Sequence, residues 1–186
     1  MEHYAENIPG FFNHGDFGFY GFCVANAPQT AHFVEIGSYK GRSSSFMAVE
    51  IIRSGKQIRF DCVDTWQGSI EHQAGQSHED PDVVSGLLYE TFLENMRPVA
   101  GRYNAVRMPS VQAAEIYGND TLDWVFIDAS HDYDNVVADI RAWLPKVRPG
   151  GMISGHDHFH GPVKQAVADT IGAVDGAGDC WYHVKK

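Results

Sequence analysis

A chain of 186 residues, 44% hydrophobic and 20% charged, suits one folded domain with a substantial core and excludes a disordered or fibrous polypeptide. Its formal net charge of −10 opposes a nucleic-acid partner, because a phosphate backbone would meet a field of its own sign. No apolar run approaches the roughly 20 residues that span a bilayer. The opening MEHYAENIPG lacks a signal peptide's basic and apolar regions, and Cys23, Cys62 and Cys180 are odd in number and far apart, so a cytoplasmic protein with reduced thiols and no membrane contact is expected.

Residues 1–30 are rich in aromatics and glycine, with a short helix predicted over Asp16–Asn26 and bounded by Pro28. AHFVEIGS reads as a first strand, apolar and partly β-branched before a glycine. In SSSFMAVEIIRSG, Phe46, Val49 and Ile52 share one helical face and Gly55 is a stop signal. QIRFDCVDTW is a second strand. Residues 67–82 are polar throughout and predict a long loop of the kind that serves as a mobile lid. Beyond it, VVSGLLYETFLENM predicts a helix, YNAVRMP a short strand, and SVQAAEIYG a helix capped by Ser110. LDWVFIDAS is apolar through its middle, as a strand covered on both faces must be. A helix over DYDNVVADIRAWLPKV, a strand over GGMISGHD, a helix over GPVKQAVADTIG and a terminal strand over CWYHVKK complete the chain. This alternation means a mostly parallel α/β sheet with helices on both faces.

Glu35, Asp64, Asp128 and Asp157 each end one of the predicted parallel strands. Ligands of open α/β sheets bind in the crevice outside those strand ends. Aspartate also caps helices well, so each acid taken alone suits a capping role equally. The first turn, EIGSYKGRSS, has the spacing Glu-x-Gly-x-x-x-Gly. Gly37 and Gly41 allow a sharp turn, and the N–H groups that open the next helix can hold an anion such as a carboxylate. Neither the Gly-x-Gly-x-x-Gly fingerprint nor a phosphate-binding Gly-Lys-Ser/Thr loop is present. Asp64, 29 residues after Glu35 at the next strand's end, can accept both hydroxyls of a ribose, with Trp66 beside it as a flat apolar cover or a core aromatic.

FVEIGSYKGRSS, VDTW, WVFIDASHDY and RPGGMISGHD, in this order across residues 33 to about 170, resemble the class I S-adenosylmethionine-dependent methyltransferases, in particular their catechol O-methyltransferase-like branch. The resemblance implies a Rossmann-like three-layer sandwich around a mostly parallel seven-stranded sheet with an antiparallel terminal strand. It implies one domain over residues 1–186, with 1–30 as a cap segment and 67–82 as a lid. Glu35, Gly37, Ser38 and Gly41 would line the methionine part of S-adenosyl-L-methionine, and Ser43 would lie near its carboxylate. Asp64 would hold the ribose, and Thr65, Trp66 and Ser110 would border the adenosine. Asp128 would border the cofactor and, with Asp157 and His158, hold a divalent metal. His131 stands where the branch often has a catalytic lysine and His158 where it has an asparagine, both departures from its pattern.

Methyl transfer from a sulfonium is an in-line displacement in which the protein orients a nucleophile and removes its proton. Histidine suits that task, so His131 is the first candidate base and His156 the second, with Asp128 beside them and His160 an exposed residue. Phe11, Phe12, Phe17, Phe19, Tyr20 and Phe22 offer apolar surface for a small-molecule acceptor, and suit core packing or a homodimer contact equally. Two other classes stay open: a metal-dependent hydrolase built on Asp128, His131, His156, Asp157 and His158, which leaves Asp64 without a task, and a nucleoside-binding module without catalysis.

Overall fold

In the computed structural model, which describes residues 1–186, one seven-stranded sheet organises the chain in the order β3-β2-β1-β4-β5-β7-β6. The strands are β1 Thr30–Ile36, β2 Gln57–Asp64, β3 Asn104–Arg107, β4 Leu122–Ile127, β5 Val147–Gly155, β6 Asp175–Ala177 and β7 Cys180–Val184. β1 to β5 pair in parallel, while β7 runs antiparallel to both β5 and β6. The helices are α1 His14–Asn26, α2 Arg42–Ser54, α3 Pro81–Val84, α4 Leu88–Met96, α5 Ser110–Ala114, α6 Tyr133–Trp143 and α7 Gly161–Thr170.

Strand alternation sorts the core into two layers. Phe33, Phe60, Cys62, Trp124 and Phe126 pack against α1, α2 and α4 on one face. Val34, Ile36, Val63, Val125 and Ile127 pack against α5, α6 and α7 on the other. Because β1 continues to β2 on one side while β4 lies on its other side, the tips of β1 and β4 form the point where the winding reverses and a crevice opens. No helix is long and apolar enough to cross a membrane.

The N-terminal segment is tied onto this frame. Asn13 and Asp16 form a reciprocal capping box that starts α1 two residues before the expected position. The Arg42 guanidinium donates to the carbonyls of Phe12 and Ile8, each at 2.7 Å, and fixes residues 8–12 over the start of α2. Phe12, Phe17, Phe19 and Tyr20 are core residues, whereas Phe11 and Phe22 are exposed.

Three elements differ from the sequence expectation. The helix expected over Val83–Met96 breaks into α3 and α4 at Gly86, whose φ of +73° cannot continue a right-handed turn. The helix from Ser110 lasts only five residues, Ser110–Ala114, shorter than the nine residues expected. The reading in chain order named six strands; the seventh, β6, is a three-residue edge strand paired to β7 across a tight turn and too short to leave a pattern. Within residues 67–82 there is one 3₁₀ turn, Ile70–His72, and the first two residues of α3.

Candidate active site

A cleft of about 1040 Å³ follows the strand tips. Asp64 and Met108–Val111 border one end, Gly37–Tyr39 and Ser43 the middle, and Asp128–Asp132 with His156 and Asp157 the other end. Phe11, Gly68–His72 and His78 cover it from outside. A smaller groove of about 630 Å³ at the opposite strand ends, lined by Lys56–Phe60 and Gly101–Asn104, gathers no such set of groups.

Gly37 explains how the two halves meet. Its φ is +90°, and a Cβ there would stand 2.0 Å from the Asp128 carbonyl oxygen. Only glycine lets the β1 tip press against the β4 tip, where the Asp128 N–H donates to the Ile36 carbonyl at 2.8 Å. Asp64 ends β2 beside this turn. Its carboxylate accepts from the N–H groups of Tyr39 and Trp66, each at 2.8 Å. Burial pushes its pKa up against these bonds.

Several expected binding residues line the cleft: Gly37, Ser38, Ser43, Asp64, Thr65, Ser110 and Asp128. Glu35 does not. Its side chain points into the α1–α2 layer, fully buried, and accepts from Tyr20 Oη at 2.8 Å, Ser38 Oγ at 2.7 Å and the Ser44 hydroxyl. The period-two alternation of β1 decides this: with Val34 and Ile36 facing α5–α7, Glu35 must face the other layer. Glu35 therefore braces the turn from beneath. Gly41 (φ +87°) likewise packs against Phe92 and Met96 behind the cleft. Trp66 is a core residue against Tyr89 and Phe92, and its Nε1 donates to the Tyr39 carbonyl at 2.9 Å, so it covers no cleft wall.

At the other end three charged elements meet. His131 Nε2 lies 2.9 Å from Asp157 Oδ2 and 3.8 Å from Asp128 Oδ1, and its Nδ1 is 3.6 Å from Glu71 Oε1 on the covering segment. His156 is buried, with Nδ1 3.5 Å from Asp157 and 3.8 Å from Asp128, and Nε2 3.2 Å from Asp16 on α1. Asp128 and Asp157 push the His131 imidazole up to about 10. Burial opposes charge on His156, yet Asp157, Asp16 and Asp128 outweigh it and push the ring up to about 11. Burial would likewise raise Asp157, but both imidazoles hold its carboxyl well below the usual range. Burial raises Asp128 against the same imidazoles. The neighbouring carboxylates thus favour the charged form of both rings, and His131 serves as a base only after something takes over its carboxylate partners.

Ligand atoms of Asp128, His131 and Asp157 lie within 4.8 Å of one another, as do those of His156, Asp157 and Asp179. His158 belongs to neither group, which corrects the expected ligand set. Asp157 has a φ of +57°, and the next residue turns away so that the His158 ring lies against Gly176 of β6 and its N–H donates to the Asp179 carbonyl at 2.9 Å. His131 takes its place beside the two aspartates. Four residues at or beside the candidate site escaped the sequence reading: Asp16, Glu71, Asp179 and Asp139, the last lining the cleft from α6. Asp16 lies 140 positions from His156 and Asp179 sits in a turn with no recognisable signal, while Glu71 was visible only as part of a polar loop.

A family model described as a methyltransferase domain matches residues 34–158. The uncharacterized protein y4gI of Sinorhizobium fredii is 25% identical over 157 residues, covering 83% of this chain; the chain spans only 16% of that protein's length. Among solved structures, the O-methyltransferase NovP superposes with a TM-score of 0.67 at 19% identity, covering 92% of this chain and 79% of that one. An O-methyltransferase from Bacillus cereus in complex with SAH gives 0.61 at 20% identity, covering 97% and 86%. CalS11, a TDP-rhamnose 3'-O-methyltransferase, gives 0.59 at 13% identity, covering 92% and 80%.

Proposed function

Since the chain belongs to the methyltransferase family whose domain it carries, on the class I fold dependent on S-adenosylmethionine, we propose that it transfers the sulfonium methyl group to a hydroxyl oxygen of a small molecule. One observation supports this most: Asp64 and the His131–Asp128–Asp157 group lie in one cleft, on either side of the Gly37 turn. Asp64 would accept from the ribose hydroxyls. Ser43 and the N–H groups at the start of α2 would receive the carboxylate of the methyl donor. Ser110 and Thr65 border the nucleoside. Once its ring is released from Asp128 and Asp157 and neutral, His131 would hold the acceptor hydroxyl and take its proton.

The donor set Asp128, His131 and Asp157, two carboxylate oxygens and one imidazole nitrogen converging in the cleft, also fits a divalent cation such as Mn²⁺, Fe²⁺ or Zn²⁺. Such an ion, when bound, lowers the pKa of a coordinated hydroxyl. Residues 1–30 would serve as the acceptor-side cap, since Phe11 stacks near His72 with ring centroids 6.3 Å apart. Residues 67–82 would serve as the lid. Lys40, next to the Gly37 turn, anchors the end of that segment through Asp80 at 2.7 Å and Asp82 at 2.8 Å. Three buried free thiols are in keeping with a cytoplasmic enzyme, and exposed Phe22 on α1 offers a face for a homodimer.

The test is transfer of a radiolabelled methyl group from S-adenosylmethionine to phenolic and sugar hydroxyls, with and without Mn²⁺. Labelled ether from the wild type, lowered about a hundredfold or more in His131→Ala with donor affinity nearly intact, is the expected result. Equal loss of donor affinity would make His131 structural, and hydrolysis of esters without donor binding would favour the hydrolase.

A further inference from the structure

We infer that Asp139 is the residue that selects the nucleobase of the methyl donor, its carboxyl receiving the exocyclic amine of adenine. The inference rests on the proposed donor site.

The ribose acid, Asp64, stands between the tips of β1 and β3. From there the cleft extends over the junction of α5 and α6, the helices that follow β3 and β4 on one face of the sheet. Its walls at this end are apolar or small: Ile36, Val63, Met108, Pro109, Val111 and Ala129. A flat base fits such a slot, but apolar walls cannot tell one purine from another; that takes a buried polar group.

The polar groups here are few, and most are already engaged. The Asp132 carboxylate caps α6 by accepting from the Asn135 N–H at 3.1 Å and its side-chain amide at 2.7 Å, and from Ser130 Oγ at 2.5 Å. Asn135 thereby uses its amide. Ser110 Oγ accepts from Trp143 Nε1 at 2.9 Å, which ties α6 to the start of α5. Asp139 differs. It is 5% exposed, lines the cleft one helical turn beyond Asn135, and has the Ser110 hydroxyl as its one nearby donor, with the Asp132 carboxylate adding a like charge. Burial pushes this carboxyl up to about 6, as expected of an acid short of donors. A carboxyl this buried keeps at least one lone pair for a donor that the chain does not supply.

Adenine presents an amine donor at its six position. Hypoxanthine presents a carbonyl oxygen there and an N–H beside it, a pattern that a carboxylate matches poorly and a carboxamide matches well. The experiment is calorimetry at pH 7.5 with S-adenosylhomocysteine and S-inosylhomocysteine on wild type, Asp139→Asn and Asp139→Ala, each checked for native circular dichroism. Wild type should bind the adenosyl ligand about tenfold or more tightly over the inosyl one. Asp139→Asn should narrow or reverse that preference, and Asp139→Ala should abolish it. A purely structural role would weaken both ligands alike. Equal wild-type affinity for both ligands, or a preference unchanged in Asp139→Asn, overturns the inference. Should Asp139→Ala not fold, Asp139→Asn, which keeps the side chain's shape, decides it. No binding of either ligand by wild type would instead overturn the donor site on which the inference rests.

Discussion

Glu35 distinguishes a brace from a ligand contact. In Glu35→Gln, a carboxylate that accepts from Tyr20, Ser38 and Ser44 becomes an amide with one acceptor oxygen and an NH₂ facing hydroxyl donors. A hydrogen bond to a charged group contributes about 1.5–3 kcal/mol, so impairing two of them costs roughly 3–6 kcal/mol. The glutamine also relieves a buried charge, whose burial already raises the Glu35 pKa, so a net loss of about 2–4 kcal/mol is expected. For a chain of this size that lowers Tm by roughly 5–15 °C. Thermal unfolding followed by circular dichroism measures the loss. Calorimetry with S-adenosylhomocysteine, well below the transition, should show affinity within about threefold of wild type, a change under 1 kcal/mol. An unchanged Tm with lost affinity would place Glu35 on the ligand and refute the argument.

Other predictions follow from the charged groups. Asp61 is fully buried and bonded by His32 at 2.7 Å, Asn104 at 2.6 Å and Tyr117 at 3.0 Å. Burial alone would raise its pKa, but these partners and Arg59 lower it from 3.8 to about 2. That depression stabilises the fold by roughly 2 kcal/mol above the unfolded pKa and is lost as pH falls through about 2, so acid unfolding of Asp61→Asn should show a shallower slope between those limits. A slope matching wild type would contradict the network. The His131 ring, raised to about 10 by Asp128 and Asp157, should titrate by NMR far above the ordinary 6.5 in protein stripped of divalent ions. A midpoint near 6.5 would mean the three groups do not meet. Lys40→Met should speed hydrogen exchange across residues 70–87 while β1 and β4 stay protected, because the cation pinning Asp80 and Asp82 is gone. Unchanged exchange would mean that the segment is held by its own packing.

The fold was legible because β1, β2 and β4 are apolar runs that end in acids and alternate with amphipathic helices, and that pattern depends on local burial alone. Of the candidate site, the sequence marked Gly37, Asp64, Asp128, His131 and Asp157, which the structure brings to one cleft because the topology dictates where their strand tips lie. The candidate site was less legible wherever direction mattered. Glu35 and Trp66 have the right residue type at a strand end, but the pleat turns one into the α1–α2 layer and the left-handed backbone of the other, at φ +52°, sends its ring into the core. His158 fails for a similar reason, since one left-handed residue before it reverses the chain's direction. Glu71 and Asp139 reach the cleft, and Asp16 reaches His156 behind it, from helices or a covering segment, and a tertiary approach of that kind leaves no local pattern.

The most direct test of the account is calorimetric titration of S-adenosylhomocysteine into wild type and Asp64→Ala. The account predicts saturable one-to-one binding by wild type and a loss of roughly 1–3 kcal/mol, about five- to a hundredfold in affinity, in the variant. Absence of binding by wild type, or an affinity in Asp64→Ala equal to it, would contradict the claim that the cleft at these strand tips holds the methyl donor by its ribose.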